Sequence, residues 1–491
     1  MTESVAKEAK VIVRHTAVYG MANVLDRAVS FLMLPVYTRF LTPVDYGILE
    51  LIGITVSLLG VTLGMGVEAA VSRFYFDYKE TEKRNLVVSS GLLGYSGSAL
   101  IFVVILLPFS NVLADLILDS ASLGHYFVVA LIGLGLSLIQ PINLAYLRVQ
   151  QKSGTLLVVQ VVKTLFGLSL IILLVVVKEM GVYGVLLGTL ISDLTLTILL
   201  TIFTLTRTRL RVDWTLVKGM IKFGLPLVPS NISAFMVQAS DRWFVKEYVN
   251  IATTGLYSLG YKFGTLVHQF VTSPFIQIWT PRRFEYFDKE GSDRIFARIF
   301  TYFCAVALFV GLMISLLSKE IIRVMTTEAF WSAHLVVPVV VLAYIVFSFH
   351  YHFNVGILIK KATKYIAYVN VANGILNIIL NIIMIRRYGV WGAAFATLIC
   401  FVFKAGMTYY YSNRLYRISV EWRRVIILFA GAICLYLAGS LIETGSLWLN
   451  VAAKAGVGLT YPILLYWMRL FDSSEIAKIK EIIRTRRLSV D

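Results

Sequence analysis

The chain has 491 residues, 58% of them hydrophobic and 15% charged, with a mean hydropathy of +0.79. That composition excludes an ordinary soluble globule, and the apolar runs leave no stretch for the soluble domains that length alone would suggest. The net charge of +17 comes from short Lys and Arg clusters between apolar runs of spanning length, the positive-inside pattern of a polytopic membrane protein rather than a nucleic-acid surface.

A bilayer-spanning helix needs roughly 20 apolar residues, and at that length in lipid only a helix satisfies every backbone N–H and C=O. After a short charged tail, Met1 to Lys10, comes a mostly apolar stretch that contains Asp26 and Arg27. It is too long and too polar for a signal h-region, so an uncleaved first span over 12–40 is expected. Further spans are predicted over 46–70, 85–107, 123–147, 155–177, 182–206, 219–246, 252–280, 296–317, 331–358, 364–385, 389–411, 425–442 and 447–469, fourteen in all. Alternate connections hold the cations: Arg73 to Arg84, Arg148 with Lys152, Arg207 to Lys222, Arg282 to Arg298, Lys360 to Lys364 and Arg414 to Arg424. Those loops and both tails are expected on the cytoplasmic side, which an even number of spans satisfies; Arg386 and Arg387 are the exception. Residues 471–491 set Ile476, Ile479 and Ile483 beside Lys478, Lys480, Arg484, Arg486 and Arg487. They read as a basic amphipathic segment on an anionic leaflet or as a solvated tail. Cys304, Cys400 and Cys434 lie singly in apolar runs without a CxxC or His neighbour, so packing is expected of them, with no disulfide, metal or other cofactor. Trp279, Trp331 and Trp422 stand near span ends, where interfacial anchoring is the first expectation.

One pattern occurs twice, 208 residues apart: Gly-Val-Tyr-Gly at 181–184 with Thr-Leu-Ile at 189–191 returns as Gly-Val-Trp-Gly at 389–392 with Thr-Leu-Ile at 397–399. The same offset pairs Gly47 with Gly255, Lys152 with Lys360 and Thr155 with Thr363. It maps spans 2, 5 and 6 onto 8, 11 and 12, and a shift of six helices keeps both halves in one orientation, as in the parallel repeats of membrane transporters. The expected fold is an all-α integral membrane protein of about fourteen transmembrane helices. It has an N-lobe over 1–206, a C-lobe over 207–411, two extra helices over 412–470 and the cytoplasmic tail 471–491.

Setting aside loop and tail cations leaves Arg27, Lys163, Arg242, Lys262, Lys404 and Lys454 inside predicted spans, with Asp26, Glu50, Glu68, Asp193 and Asp241 as the acids. A lipid-facing charge near the midplane costs on the order of 2.5 to 3.5 kcal/mol, so these cations should line a polar interior or pair with an acid. Arg27 lies about 20 Å of helix from Arg14, too deep to snorkel, with Asn23 one turn before it and Ser30 about one turn after. It can face a lumen, or brace the bundle through an ion pair with Asp26 or another helix. Gln238, Asp241 and Arg242 repeat the spacing of Asn23, Asp26 and Arg27, seven residues off the 208 register. Lys262 shares a face with Gln269, and Lys163 falls about 12 Å into its span from the cytoplasmic side. Asn23, Arg27, Lys163, Gln238, Arg242 and Lys262 form the expected substrate-binding set. Asp26, Glu50, Glu68, Asp193 and Asp241 form the counter-ion or coupling set, with Asp193 expected to neutralise one of the lysines. Glu50 and Glu68, 18 residues apart, are expected on one face of span 2. For Lys404 and Lys454 lumen and packing both stay open, and His268, His350 and His352 are expected to be buried, hydrogen-bonded imidazoles.

The acidic-basic pair inside the first span, the segment Leu-Pro-Val-Tyr-Thr-Arg-Phe-Leu-Thr-Pro-Val-Asp-Tyr-Gly over 34–47, and Asp-Arg-Trp-Phe over 241–244 ahead of Gly-Leu-Tyr at 255–257 carry a resemblance. Over about residues 10–470 the chain resembles the polysaccharide-transport branch of the multidrug/oligosaccharidyl-lipid/polysaccharide exporter superfamily, the Wzx-type oligosaccharide flippases. What that resemblance implies is movement of a polyprenyl-pyrophosphate-linked oligosaccharide, an O-antigen or exopolysaccharide repeat unit, from the cytoplasmic to the periplasmic leaflet of a bacterial inner membrane. Its partners would be that lipid-linked substrate, membrane lipids and other polysaccharide-assembly proteins. The residues agree independently, because cations in a wet cavity can replace the hydration of a diphosphate with charge-assisted hydrogen bonds. A cation-coupled small-molecule or drug exporter of the same superfamily is the first alternative, although cationic drugs would favour an acidic lumen. A polyprenyl-dependent membrane glycosyltransferase or polymerase is the second. It would need a sizeable extramembrane loop with catalytic carboxylates, whereas no predicted loop exceeds about 16 residues and there is no DxD pair. A transporter, not an enzyme, is therefore expected.

Overall fold

The computed structural model describes residue 31, residues 33–287 and residues 289–467. The expectations for Asn23, Asp26, Arg27 and the tail 471–491 lie outside the described residues. Every regular element among the described residues is helical, and ten of the helices are long and apolar enough to cross a membrane. One of these, Lys364–Leu415, joins the expected spans 364–385 and 389–411 through a break at Gly389, whose φ of 55° and ψ of −132° suit glycine alone. Helices also fill 252–280, as Ile251–Val267, His268–Thr272 and Ser273–Tyr286, and the last expected span, as Leu447–Trp467. The expected all-α membrane fold is therefore the observed one.

Span 46–70 is not one helix. Pro43–Leu63 ends at Gly64, and positive φ angles at Met65 and Gly66 turn the chain into Val67–Asp77. Glu50 and Glu68 consequently stand on separate helices, and their spacing does not put them on one face.

The chain folds as two compact units. One takes the first stretch up to Leu259 with Met325–Ala333 and Ile366–Cys400; the other takes Gly260–Val324, His334–Tyr365 and the chain from Phe401 onward. In the first unit Leu51, Ile52, Ala114 and Phe127 are buried together, while Leu100, Ile101, Val104, Ile198, Leu199 and Ile202 are exposed. Broad apolar faces of this kind are normal where acyl chains are the solvent.

The 208-residue register of the sequence is also a register of the backbone. The π-helical turns Leu173–Val177 and Asn381–Ile385 correspond residue for residue, and each is followed by a left-handed glycine, Gly181 (φ 54°) or Gly389 (φ 55°). The turn before them keeps a different count: the left-handed residues are Gln151 and Lys361, and Lys152 N–H bonding to Leu147 is matched by Ala362 N–H bonding to Ile357. Lys152 and Lys360 align in sequence but are two residues apart in conformation.

The start of Pro43–Leu63 and the start of Ile251–Val267 are built alike. The Asp45 N–H donates to the Thr42 hydroxyl at 3.2 Å, while the Thr42 N–H donates to the Asp45 carboxylate at 2.9 Å, a reciprocal cap. At the repeat-related place the Thr253 N–H donates to Asn250 Oδ1 at 2.7 Å. Gly47 and Gly255 then let the two helices cross at backbone distance. A Cβ added at Gly47 would overlap the Ile251 carbonyl oxygen and stand 2.9 Å from Ile251 Cγ2; one at Gly255 would overlap the Pro43 carbonyl oxygen and stand 2.9 Å from the Gly47 nitrogen. Pro43 and Ile251 are themselves 208 residues apart, so the crossing reads the same from either helix, as a two-fold contact does.

Candidate functional site

In the first unit, Lys163 on Ser153–Ile172 places Nζ 2.8 Å from Asp193 Oδ1 on Gly181–Thr208 and 3.2 Å from Gln140 Oε1 on Gly124–Val149. Ser192 donates to the Lys163 carbonyl at 3.3 Å, and Gly167 faces Ser192, so the two helices pack closely enough for the pair to meet. Lys163 is a neutralised cation.

Arg242 is neutralised as well. Its Nη1 lies 2.9 Å from Asp241 Oδ1 and donates to the Gln238 carbonyl at 2.6 Å; the Tyr257 hydroxyl donates to Asp241 Oδ2 at 2.6 Å. The Asp241 and Arg242 side chains are 1% and 9% exposed, which excludes an interfacial arginine reaching water. Gln238 contributes its backbone, and its side chain is exposed. Beside this pair, Ser240 donates to Asn377 Oδ1 at 2.9 Å, and Asn381 donates to the same oxygen at 3.1 Å. Asn373, Asn377 and Asn381 are all fully buried. Sequence reasoning passed over this stripe, although an asparagine every fourth residue on an otherwise apolar helix is a readable signal. Because Asn377 Oδ1 receives two donors, Asn377→Leu is expected to destabilise the protein by about 1 to 3 kcal/mol, measured by thermal unfolding in detergent; membrane hydrogen bonds average about 0.6 kcal/mol, so an ordinary membrane hydrogen bond would show the smaller loss.

Lys262 is exposed on Ile251–Val267, followed by half-buried Thr265 on the same helix and half-buried Gln269 in the turn His268–Thr272; Gln269 Nε2 donates to the Thr265 hydroxyl at 3.3 Å, and that hydroxyl donates to the Lys262 carbonyl at 2.7 Å. Glu50 is half-buried on Pro43–Leu63. Glu68 pairs with Arg148, both side chains largely exposed, so it meets a loop cation and not an intramembrane one. Lys454 is locked on Glu320 at 2.6 Å, the two side chains 4% and 3% exposed; it braces its helix and faces no cavity. Near the start of Ile251–Val267, Lys246 Nζ lies 2.6 Å from Asp119 Oδ1 and Trp243 donates to Thr55 at 3.2 Å.

Three smaller expectations change. Trp279 is no belt anchor: it is 3% exposed and stacked on His352 at 5.4 Å. His352 is fully buried among rings, and among the described residues neither of its nitrogens has a hydrogen-bond partner. Cys304 and Cys400 are buried as expected of packing residues, whereas Cys434 is exposed.

A helical membrane protein with paired intramembrane charges, a buried asparagine stripe and a duplicated six-helix register belongs to the class of membrane transporters. The sequence matches the polysaccharide biosynthesis protein family over residues 36–334, and the chain belongs to that family. Among solved structures, the lipid II flippase MurJ in an inward closed conformation is similar with a TM-score of 0.72 at 14% identity, over 94% of this chain and 100% of that one. An inward-facing multidrug resistance MATE family transporter of the MOP superfamily gives a TM-score of 0.64 at 12% identity, over 82% of this chain and 96% of that one. A MOP superfamily transporter from Pyrococcus furiosus, reported with a binding pocket of reverse polarity, gives 0.58 at 13% identity, over 86% and 96%. No curated protein matches the sequence. At these identities the likeness concerns the fold. The similar folds are those of a flippase and of transporters.

Proposed function

We propose that the protein is a flippase that moves a polyprenyl-diphosphate-linked oligosaccharide, an O-antigen or exopolysaccharide repeat unit, from the cytoplasmic to the periplasmic leaflet of a bacterial inner membrane, with both termini cytoplasmic. The observation that carries this reading is the family match over residues 36–334. The polyprenyl chain can remain among acyl chains throughout. Only the diphosphate and the sugars need a polar route, and they need it because a bare charge in hydrocarbon is costly.

Lys163 and Arg242 already carry Asp193 and Asp241, so in this reading they give the route polarity without net charge. Arg27 and the Lys262–Thr265–Gln269 face meet the diphosphate and its glycan through charge-assisted hydrogen bonds. Asp26, Glu50 and Glu68 serve as counter-ions or coupling groups. The two repeats, 1–206 and 207–411, alternate in exposing the route to either side, and the helices over 412–470 brace them.

In a strain lacking its own oligosaccharide flippase, Arg27→Ala is expected to abolish complementation at unchanged protein abundance, with Arg27→Lys keeping part of it. Full complementation by Arg27→Ala removes Arg27 from the route. Failure of the unaltered protein to restore surface polysaccharide in any such strain overturns the flippase reading.

A further inference from the structure

The intramembrane cations differ in whether an acid answers them, and Lys404 stands apart. It lies on Arg386–Leu415 ten residues before Arg414, about 15 Å of helix from the cytoplasmic end. Among the described residues it forms no ion pair and no carboxylate acts on it; its Nζ stands 5.0 Å from the centre of the Phe347 ring. The same ring gathers two imidazoles, His350 at 4.6 Å and His268 at 6.1 Å between centroids, and Tyr351 lies 3.9 Å from His350 and 6.1 Å from His268. Around His350 the charged neighbours are Lys404 and His268.

Packing fixes this arrangement. His268 opens the π-helical turn His268–Thr272, a form that interrupts an ordinary helix and recurs at functional sites. Thr272 Oγ1 lies 2.5 Å from Ser348 Oγ with both residues fully buried, which ties that turn to Val337–Phe353. Phe401, one turn before Lys404, packs on Phe347 at 4.5 Å. The rings of Phe347 and Phe401 are buried and form an apolar base, whereas Lys404, His268, His350 and Tyr351 are only half-buried. His350 donates through Nδ1 to the Phe347 carbonyl, because a carbonyl can only accept; Nε2 is left to meet a ligand, accepting from a protonated phosphate oxygen or, once the ring takes up a proton, donating to an oxyanion.

We propose that Lys404 and His350, with His268 and Tyr351 beside them on the Phe347 ring, form a docking site for the phosphate or diphosphate group of a lipid in the cytoplasmic half of the membrane. The aromatic face holds the ammonium, and an oxyanion supplies a counter-charge that none of the described residues supplies. The site rests on the flippase reading and deepens it: a substrate taken from the cytoplasmic leaflet is first held here.

The full-length protein in phosphatidylcholine nanodiscs, titrated calorimetrically with farnesyl diphosphate, is expected to bind it saturably and to ignore farnesol. Lys404→Gln and His350→Gln should each weaken binding at least tenfold, while Lys404→Arg and Lys319→Gln, whose ammonium pairs with the exposed Glu443, stay within threefold of the unaltered protein. Inorganic pyrophosphate and discs containing phosphatidylglycerol separate the sources: competition by either supports the oxyanion site and assigns it to the free or the phospholipid form. Unchanged affinity in Lys404→Gln overturns the site, as does equal weakening by Lys319→Gln. If Lys404→Gln unfolds at a lower temperature, His350→Gln and Lys404→Arg carry the decision. No saturable binding by the unaltered protein overturns the site too, and the complementation assay then decides whether the flippase reading falls with it.

Discussion

Glu320→Gln alone is expected to destabilise the protein by about 3 to 5 kcal/mol, and loss of both Glu320 and Lys454 by much less. The two side chains meet at 2.6 Å between Ser292–Met325 and Leu447–Trp467, each almost wholly enclosed. Attraction between them offsets the cost of taking two charges out of water; removing one partner leaves that cost and removes the offset. Glu320→Leu with Lys454→Met restores an apolar contact of similar volume and is expected within about 1 kcal/mol of the unaltered protein. The surrounding contacts are tight enough to keep the site shut in the double variant: Gly439 and Gly458 lie against Leu316 and Met313, and the Tyr461 hydroxyl donates to the Leu428 carbonyl at 3.1 Å. A double-mutant cycle read by thermal unfolding in detergent measures the coupling. If the single losses simply add, the pair is not a unit and the two helices are held by packing alone.

That pair also marks where the sequence stops being readable. Span existence was legible, because an apolar run has no other stable form in lipid, and so was the repeat, whose register survives down to the π-helical turns. Partnership was not. Lys454 stands out in the sequence as an anomalous charge, but Glu320 falls outside the expected span 296–317, whereas the helix continues to Met325. An error of a few residues at a helix end was enough to hide an ion pair. Lys163 and Asp193 sit on neighbouring helices 30 residues apart, and only packing brings them together. Asp241 and Arg242 are adjacent in sequence, yet their burial depends on Tyr257 and on the asparagines of Lys364–Leu380 and the turn after it. The face shared by Glu50 and Glu68 assumed an unbroken helix; the left-handed residues Met65 and Gly66 break it, and only Gly66 gives a sequence hint. Trp279 stood near a span end and read as an anchor, because neither hydropathy nor position distinguishes a ring that meets lipid headgroups from one that stacks on a buried histidine.

Gly47→Ala and Gly255→Ala are expected to be strongly damaging methyl additions, whereas Gly53→Ala, on the same helix as Gly47, is expected to be harmless. Nothing lies within 4 Å of a Cβ at Gly53, and alanine there gains up to about 1 kcal/mol of helix propensity. At Gly47 and Gly255 the obstacle is a backbone carbonyl on the opposite helix, which cannot move to another rotamer, so the helices must part; overpacking of this kind costs about 1 to 3 kcal/mol or more. Both substitutions push on one crossing, so the double variant should cost less than the sum of the singles, a non-additivity expected of residues that share a contact. The crossing does not act alone. Trp243 on Thr55 and Lys246 on Asp119 join the same neighbourhood, and all three contacts connect the first repeat to residues 243–255 of the second, on the side opposite the predicted basic loops. A transporter that alternates must break and remake such contacts. The alanine variants should therefore lose complementation more steeply than they lose unfolding temperature. Wild-type unfolding and full complementation in both would mean that the two helices part freely, and the crossing would then hold nothing closed.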